Sequence, residues 1–289
     1  MRIEVLGAGG AHPVPRPFCT CPSCSEAREK GAPYTRYCPS LFIHDLSMVI
    51  DTPEESSIQL NRAKIAHVEA ALYSHWHPDH TAGSRVFEAN YDPEISWQVS
   101  PKRYCTTVFV PERVAETFSQ HHDLTTRMTY LERAGVVAMQ IVPTGKQITW
   151  RDCTITPFIL AEDYVCGFIF ETPSRRVLIC MDELNNWEPP AWLGNFDLTI
   201  LPAGVFEFDP LTGKRHIPPD HPILIREATH VETMEMLKAI DTKRVLFMHL
   251  NHSDQLTFDQ FQQLGKQMTA QSGGRPIYEF AYDGMQIEV

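Results

Sequence analysis

The chain has 289 residues, 43% apolar and 21% charged, ordinary values for a globular protein long enough to bury a substantial core. Its formal net charge of -11 disfavours non-specific binding to nucleic acid, because a polyanion is repelled unless a local basic or metal patch reverses the field. Small anionic substrates stay open. Residues 1–6 are short and charged and run into a glycine turn, so they do not read as a signal peptide, and no apolar run reaches membrane-spanning length. A cytoplasmic protein without a membrane partner is expected. Eight cysteines in so large a chain, without a secretion signal, do not read as a disulfide scaffold.

In chain order, residues 2–6 read as a strand ending in Gly7-Ala8-Gly9-Gly10. A dinucleotide-binding reading of this cluster fails, since such a site needs a helix to follow and Pro13, Pro15 and Pro17 forbid one. Phe18-Cys19-Thr20-Cys21-Pro22-Ser23-Cys24 comes next. Its three thiolates can wrap one zinc ion but leave the tetrahedron without a fourth ligand. Residues 41–44 and 47–51 read as paired strands and 54–62 as a short helix.

The apolar run 68–72 then reads as a buried strand that delivers Tyr73-Ser74-His75-Trp76-His77-Pro78-Asp79-His80-Thr81-Ala82-Gly83. The three imidazoles and the carboxylate of this loop suit zinc, manganese or iron, and Pro78 stops the strand from continuing. The donors therefore sit on a turn, able to converge. A solvated histidine-rich loop is the bland alternative, which the H-x-H-x-D-H spacing at a strand end disfavours. A helix over about 81–90, a strand over 95–99 and a mostly helical segment over 111–135 follow. His121 and His122 fall in that polar segment and read as solvent-facing.

Residues 137–142, 147–150, 153–160, 165–171 and 176–181 read as strands of a meandering antiparallel sheet. Cys153, Cys166 and Cys180 lie in these runs and read as buried free thiols. Asp182 emerges at another strand end, and 197–201 is a further strand. The irregular, proline- and histidine-rich stretch 205–222 is expected to lie over the site, making Trp76, Phe206, Phe208, His216 and His221 candidates to form a pocket. Thr229-His230-Val231-Glu232 opens an amphipathic helix to about 240, with Thr229 as cap and Glu232 at the capping-box offset. A buried strand, 244–248, delivers His249-Leu250-Asn251-His252. A helix over 257–270 and strands over 276–281 and 285–289 close the chain.

Strands followed by helices in both halves, with candidate ligands at strand ends in each, predict that histidines and aspartates meet along one edge of a two-sheet sandwich. Through H-x-H-x-D-H-x-A-G, Asp182 and His249 the chain resembles the metallo-β-lactamase-fold hydrolases, nearly end to end. The resemblance implies an α/β fold, an αββα sandwich of two mixed β-sheets flanked by helices, as one domain over 1–289 with a zinc-binding loop insertion at about 18–38. Within that group it is most similar to the PhnP-like phosphodiesterases of the carbon–phosphorus lyase pathway. The C-x-C-x-x-C loop, the D-H-T-A-G continuation, the helix-opening His230 and the late H-x-x-H of His249 and His252 carry that likeness.

This resemblance implies one structural zinc on Cys19, Cys21, Cys24 and His252. It also implies one or two catalytic divalent metals, zinc or manganese: one on His75 and His77, the other on Asp79, His80 and His249, with Asp182 bridging. A metal-bound hydroxide is then the nucleophile, Asp79 and His230 count as catalytic, and His230 protonates the leaving alkoxide. The implied partner is a small, anionic, cyclic or nucleotide-like phosphodiester rather than long nucleic acid, and a homodimer is compatible with the reading.

One position departs from the resemblance. The family has a further histidine ligand before Asp182, yet no histidine occurs between His122 and His216. That position falls at Ala161, or at Glu162 or Asp163 if the loop is shifted. Glu162 is the expected replacement, and its carboxylate would favour a harder metal such as manganese. A more distant His216 or His221, or a weakly held first metal, are the alternatives. Two further readings share the fold: hydrolysis of an ester, lactone or β-lactam, and a non-hydrolytic role similar to the pyrroloquinoline-quinone biosynthesis family PqqB, which shares the cysteine loop.

Overall fold

The computed structural model describes residues 1–91 and 104–289 and builds them around two seven-stranded sheets. The first runs β14–β1–β2–β3–β4–β5–β6, where β1 is Arg2–Gly7, β2 Ser40–Ile43, β3 Met48–Ile50, β4 Ala70–Leu72, β5 Thr106–Pro111, β6 Val137–Val142 and β14 Gln286–Glu288. The second runs β13–β12–β11–β10–β9–β8–β7, with β7 Ile148–Trp150, β8 Cys153–Ile159, β9 Cys166–Glu171, β10 Arg176–Ile179, β11 Leu198–Pro202, β12 Arg244–Met248 and β13 Ile277–Phe280. Both sheets are mixed, and the helices flank them, as the resemblance implies.

Alternation along the strands sets the layers. In β9, Phe168 and Phe170 enter the core shared with the first sheet, whereas Ile169 enters a second core on the opposite face. In β10, Val177 and Ile179 face the shared core and Leu178 the other, the two-residue period of a pleated strand buried on both sides. That second core is closed by α7, His230–Leu237, and α8, Phe258–Gln271, through Leu237, Phe261 and Leu264. Both helices begin with a capping box, on Thr229 with Glu232 and on Thr257 with Gln260.

Several elements differ from the sequence reading. Residues 137–142 do not join the meander: β6 pairs parallel with β5, a strand the periodicity did not suggest, and the antiparallel meander is β7–β8–β9–β10. The strand expected at 95–99 lies outside the described residues. The helix expected over 81–90 is broken into a turn, α3 at Pro78–Thr81, and a 3-10 segment at Ser84–Asn90. The break is at Gly83, where a Cβ would sit 1.8 Å from the Pro53 carbonyl oxygen. Only glycine permits that approach. The cysteine loop contains a helix, Pro22–Lys30 (α1), with proline at its start.

Strands β3, β4 and β5 are parallel to one another, as are β10, β11 and β12. Loops leaving the carboxyl ends of β3, β4, β10 and β12 carry Asp51, His75 to His80, Asp182 and His249. This is where open parallel sheets place ligands. The sheets are tied there by the Cys166 N–H, which donates to the Ser74 carbonyl at 3.0 Å. Gly10 has a place at the same edge, because a Cβ on it would meet Asn251 Oδ1 at 2.5 Å and His249 Nδ1 at 3.1 Å. No described helix is long and apolar enough to cross a membrane.

Candidate metal centre

The centre is organised by a carboxylate that the sequence reading did not single out. Asp51 is 1% exposed and accepts three hydrogen bonds, from Ser74 N–H at 2.8 Å, Ser74 Oγ–H at 2.6 Å and His80 Nδ1–H at 2.7 Å. Ser74 Oγ spends its only proton on Asp51, so at 2.9 Å it must accept from His75 Nδ1–H. The relay therefore fixes the tautomer of both rings. His75 turns an unprotonated Nε2 to the interior, and on His80 the proton held at Nδ1 by Asp51 leaves Nε2 as the atom that a metal would take.

Those nitrogens have no hydrogen-bond partner. Among the described residues, His75 Nε2, His80 Nε2, His249 Nε2 and Asp79 Oδ2 are all buried and orphaned. Around them lie two groups whose donor atoms fall within 4.8 Å of one another: His75, His77, Asp182 and Glu183 in one, and Asp79, His80, Asp182 and His249 in the other. Asp182 Oδ2 is shared, at 3.8 Å from His75 Nε2, 3.8 Å from His80 Nε2 and 3.2 Å from His249 Nε2. Asp79 Oδ2 stands 3.3 Å from His80 Nε2 and 3.6 Å from His249 Nε2, and Glu183 Oε1 stands 3.4 Å from His77 Nδ1. A tetrahedron with N and O ligands at zinc-like distances has edges of about 3.4 Å. The donor set fits divalent cations.

The electrostatics agree with that fit. Burial, reinforced by the Asp182 carboxylate, pushes Glu183 up to about 8 and the nearby Glu227 up to about 7. Burial holds His75 well below its usual range, keeping it neutral. His80 and His249 behave oppositely: burial opposes their charge, but Asp79 and Asp51 raise His80 to about 10, and Asp182 and Asp79 raise His249 well above its usual value. Carboxylates crowd a space that needs positive charge. Backbone strain marks the same residues, for Asp51, Glu183 and His249 all adopt left-handed φ, +59°, +58° and +53°.

The cysteine cluster forms a separate group. Cys19, Cys21, Cys24 and His252 have donor atoms within 4.8 Å of one another, with His252 Nε2 at 3.3 Å from Cys19 Sγ and 3.5 Å from Cys21 Sγ. An S–N edge of a zinc tetrahedron measures about 3.6 Å. Burial works against ionising Cys21, but the Ser23 hydroxyl and the Cys24 N–H outweigh it and lower that thiol to about 6. Burial and the neighbouring Cys21 and Cys19 push Cys24 up to about 11, so one thiolate forms readily and the other needs a cation beside it. Since His249 and His252 leave the same strand end, this group abuts the first.

A model of the beta-lactamase superfamily domain matches residues 47–250, a span that covers the loop from β4 as well as Asp182 and His249. The chain belongs to the beta-lactamase superfamily. Solved structures with this superfamily fold include a diphosphatase from the PhnP family, 22% identical, covering all of this chain and 97% of that one at a TM-score of 0.71. They also include Zn2+-bound PqqB from Methylobacterium extorquens, 14% identical over all of both chains with a TM-score of 0.71. Human tRNase Z, short form, is 15% identical, covering all of this chain and 99% of that one, with a TM-score of 0.60. No curated protein sequence matches significantly.

On this superfamily fold the expected donors His75, His77, Asp79, His80, Asp182 and His249 come together, but Glu162 does not. Glu162 is exposed in the turn between β8 and β9, and neighbouring Asp163 lies 3.5 Å from Arg113. His216 Nε2 donates to the Ser253 carbonyl, and His221 Nδ1 accepts from the Ile223 N–H at 3.2 Å. The carboxylate beside His75 and His77 is Glu183. Its adjacency to Asp182 was the signal available in the sequence, masked by the assumption that a ligand must precede Asp182.

His121 is also corrected: it is half-buried and stacked on Trp76 with ring centroids 3.7 Å apart, while the Trp76 ring meets His77 edge-on at 4.4 Å. His122 is exposed as expected. His230 stacks on Phe206 at 4.4 Å and donates Nδ1–H to the Ala203 carbonyl at 2.7 Å. Burial pushes its pKa down to about 4, so the resting ring is neutral with a free Nε2 lone pair. Phe206, Phe208 and His230 line one cleft of about 260 Å3.

Proposed function

We propose that the protein is a metal-dependent hydrolase that cleaves a small cyclic or nucleotide-like phosphodiester. The observation that carries this reading is the pair of donor groups sharing Asp182 Oδ2, because paired cations about 3.5–4 Å apart suit in-line displacement at phosphorus. His75 and His77 would hold one cation, and Asp79, His80 and His249 the other, with Asp182 between them. When bound, such cations supply Lewis acidity toward a phosphoryl oxygen and acidify the attacking water. Zinc or manganese would serve in the centre, and a structural zinc would sit on Cys19, Cys21, Cys24 and His252.

The protein's own residues have distinct tasks in this scheme. Asp51 and Ser74 keep the lone pairs of His80 and His75 turned inward. The exposed Phe208 ring would offer the organic part of the ester an apolar surface in the cleft beside His230, while Phe206, buried in the second core, backs the His230 ring. His230, neutral at rest, takes a proton from solvent at Nε2 when an anionic substrate offsets the burial that depresses its pKa, and passes it to the leaving alkoxide. The Ala203 carbonyl holds Nδ1–H and leaves Nε2 to carry that proton.

Metal content measured alongside turnover of bis(p-nitrophenyl) phosphate tests the reading. Two cations beyond the structural zinc, with turnover, support it. Full metal content with cleavage of lactones, esters or β-lactams but no phosphodiester would overturn the substrate class. A protein with only the structural zinc and no turnover would instead be non-hydrolytic.

A further inference from the structure

We infer that Glu183 is the fourth donor of the position formed by His75 and His77, and that this set of two imidazoles and two carboxylates shifts selectivity toward manganese or iron(II) and away from zinc. The inference rests on the metal-centre reading above and deepens it. Three observations support it. Glu183 Oε1 lies 3.4 Å from His77 Nδ1, and its donor atom falls within 4.8 Å of those of His75, His77 and Asp182. His75 Nε2 is fully buried, has no hydrogen-bond partner and faces the same group of donors, as a metal-binding nitrogen would. The left-handed backbone at Glu183, φ +58°, is one that L-residues rarely adopt, and with it two consecutive acidic residues reach one centre.

The rival donors are elsewhere: Glu162 is exposed, Asp163 is near Arg113, and His216 and His221 are engaged with backbone groups. Replacing an imidazole by a carboxylate makes the position harder and more oxygen-rich, which suits manganese and iron(II). It also changes charge. Two divalent cations facing Asp79, Asp182 and Glu183 leave a net charge of +1, still attractive to a phosphodiester monoanion.

The test strips wild type, Glu183→Gln and Glu183→His of metal and reloads them with equimolar Mn2+ and Zn2+. Bound metal is counted by elemental analysis, and Mn2+ is followed by its paramagnetic resonance. Re-uptake of zinc at the cysteine group and a cooperative melt report folding. Wild type is expected to take three ions, Glu183→Gln one fewer, and Glu183→His the full count with the manganese-to-zinc ratio at that position lowered at least tenfold. A Glu183→Gln protein with undiminished count and manganese affinity would overturn the assignment while leaving the metal centre intact. Wild type that takes up only the structural zinc would overturn the centre and the inference together. If Glu183→Gln fails to fold, Glu183→His decides, an unchanged metal ratio counting against the inference.

Discussion

Replacing Asp51 by asparagine probes the centre without touching a metal donor. The side chain is buried and keeps its shape, but the amide has one oxygen where the carboxylate had two. If that oxygen faces Ser74 N–H, the amide NH2 points at Ser74 Oγ–H and His80 Nδ1–H, two donors that the carboxylate accepted at 2.6 and 2.7 Å. His80 must then move its proton to Nε2, the atom needed for the metal. In the opposite orientation the NH2 confronts Ser74 N–H, and a buried donor left unpaired costs about 1–3 kcal/mol. Outer-shell losses of this kind weaken metal binding roughly 10- to 100-fold, or about 1.4–2.7 kcal/mol. Titrating the metal-free protein against a chromophoric chelator measures the affinity, and thermal melting of the metal-free form measures the second cost. Metal affinity within threefold of wild type, with an unshifted melt, would refute the argument that the Asp51–Ser74 relay sets the tautomers.

Cys21→Ser is expected to lose the structural zinc and thermal stability together; a variant with full zinc stoichiometry by elemental analysis contradicts the assignment. His230→Ala should slow cleavage of alkyl phosphodiesters by about 10²–10⁴-fold yet leave bis(p-nitrophenyl) phosphate much less affected, because nitrophenolate departs without a proton. Equal losses on both substrates would remove His230 as proton donor. The same histidine makes a pH prediction. Its folded pKa of about 4 lies below the ordinary 6.5, so the unfolded chain binds the proton first and stability is lost as pH falls from about 6.5 toward 4, by up to about 3 kcal/mol. Urea unfolding of wild type and His230→Gln between pH 7 and 4.5 should show a shallower decline in the variant; parallel declines would show that His230 is not the group responsible.

The local parts of this molecule were legible because they rest on short-range rules. The H-x-H-x-D-H loop after an apolar strand, the capping boxes at Thr229 and Thr257, and the strand that delivers His249 depend on residues within a few positions of one another. Strand partners were less accessible. Residues 137–142 alternate as any strand does, and only the position of β5 decides that they pair parallel in the first sheet rather than antiparallel in the second. Gly83 split an expected helix because of a contact with Pro53, thirty residues earlier, that no periodicity encodes.

For the site, the sequence by itself determined six of the donors, His75, His77, Asp79, His80, Asp182 and His249, and their place at strand ends, and its resemblance implied that one imidazole is missing. The tertiary structure decided the geometry. Asp51 becomes the orienting carboxylate because parallel pairing of β3 with β4 sets the end of one strand beside the loop of the next. Glu183, not Glu162, stands beside His77 because a left-handed residue after β10 brings its carboxylate to the centre, whereas the β8–β9 turn leaves Glu162 in solvent. Ligand type is a property of composition and spacing. Convergence depends on backbone turns and on the registry of strands far apart in the chain.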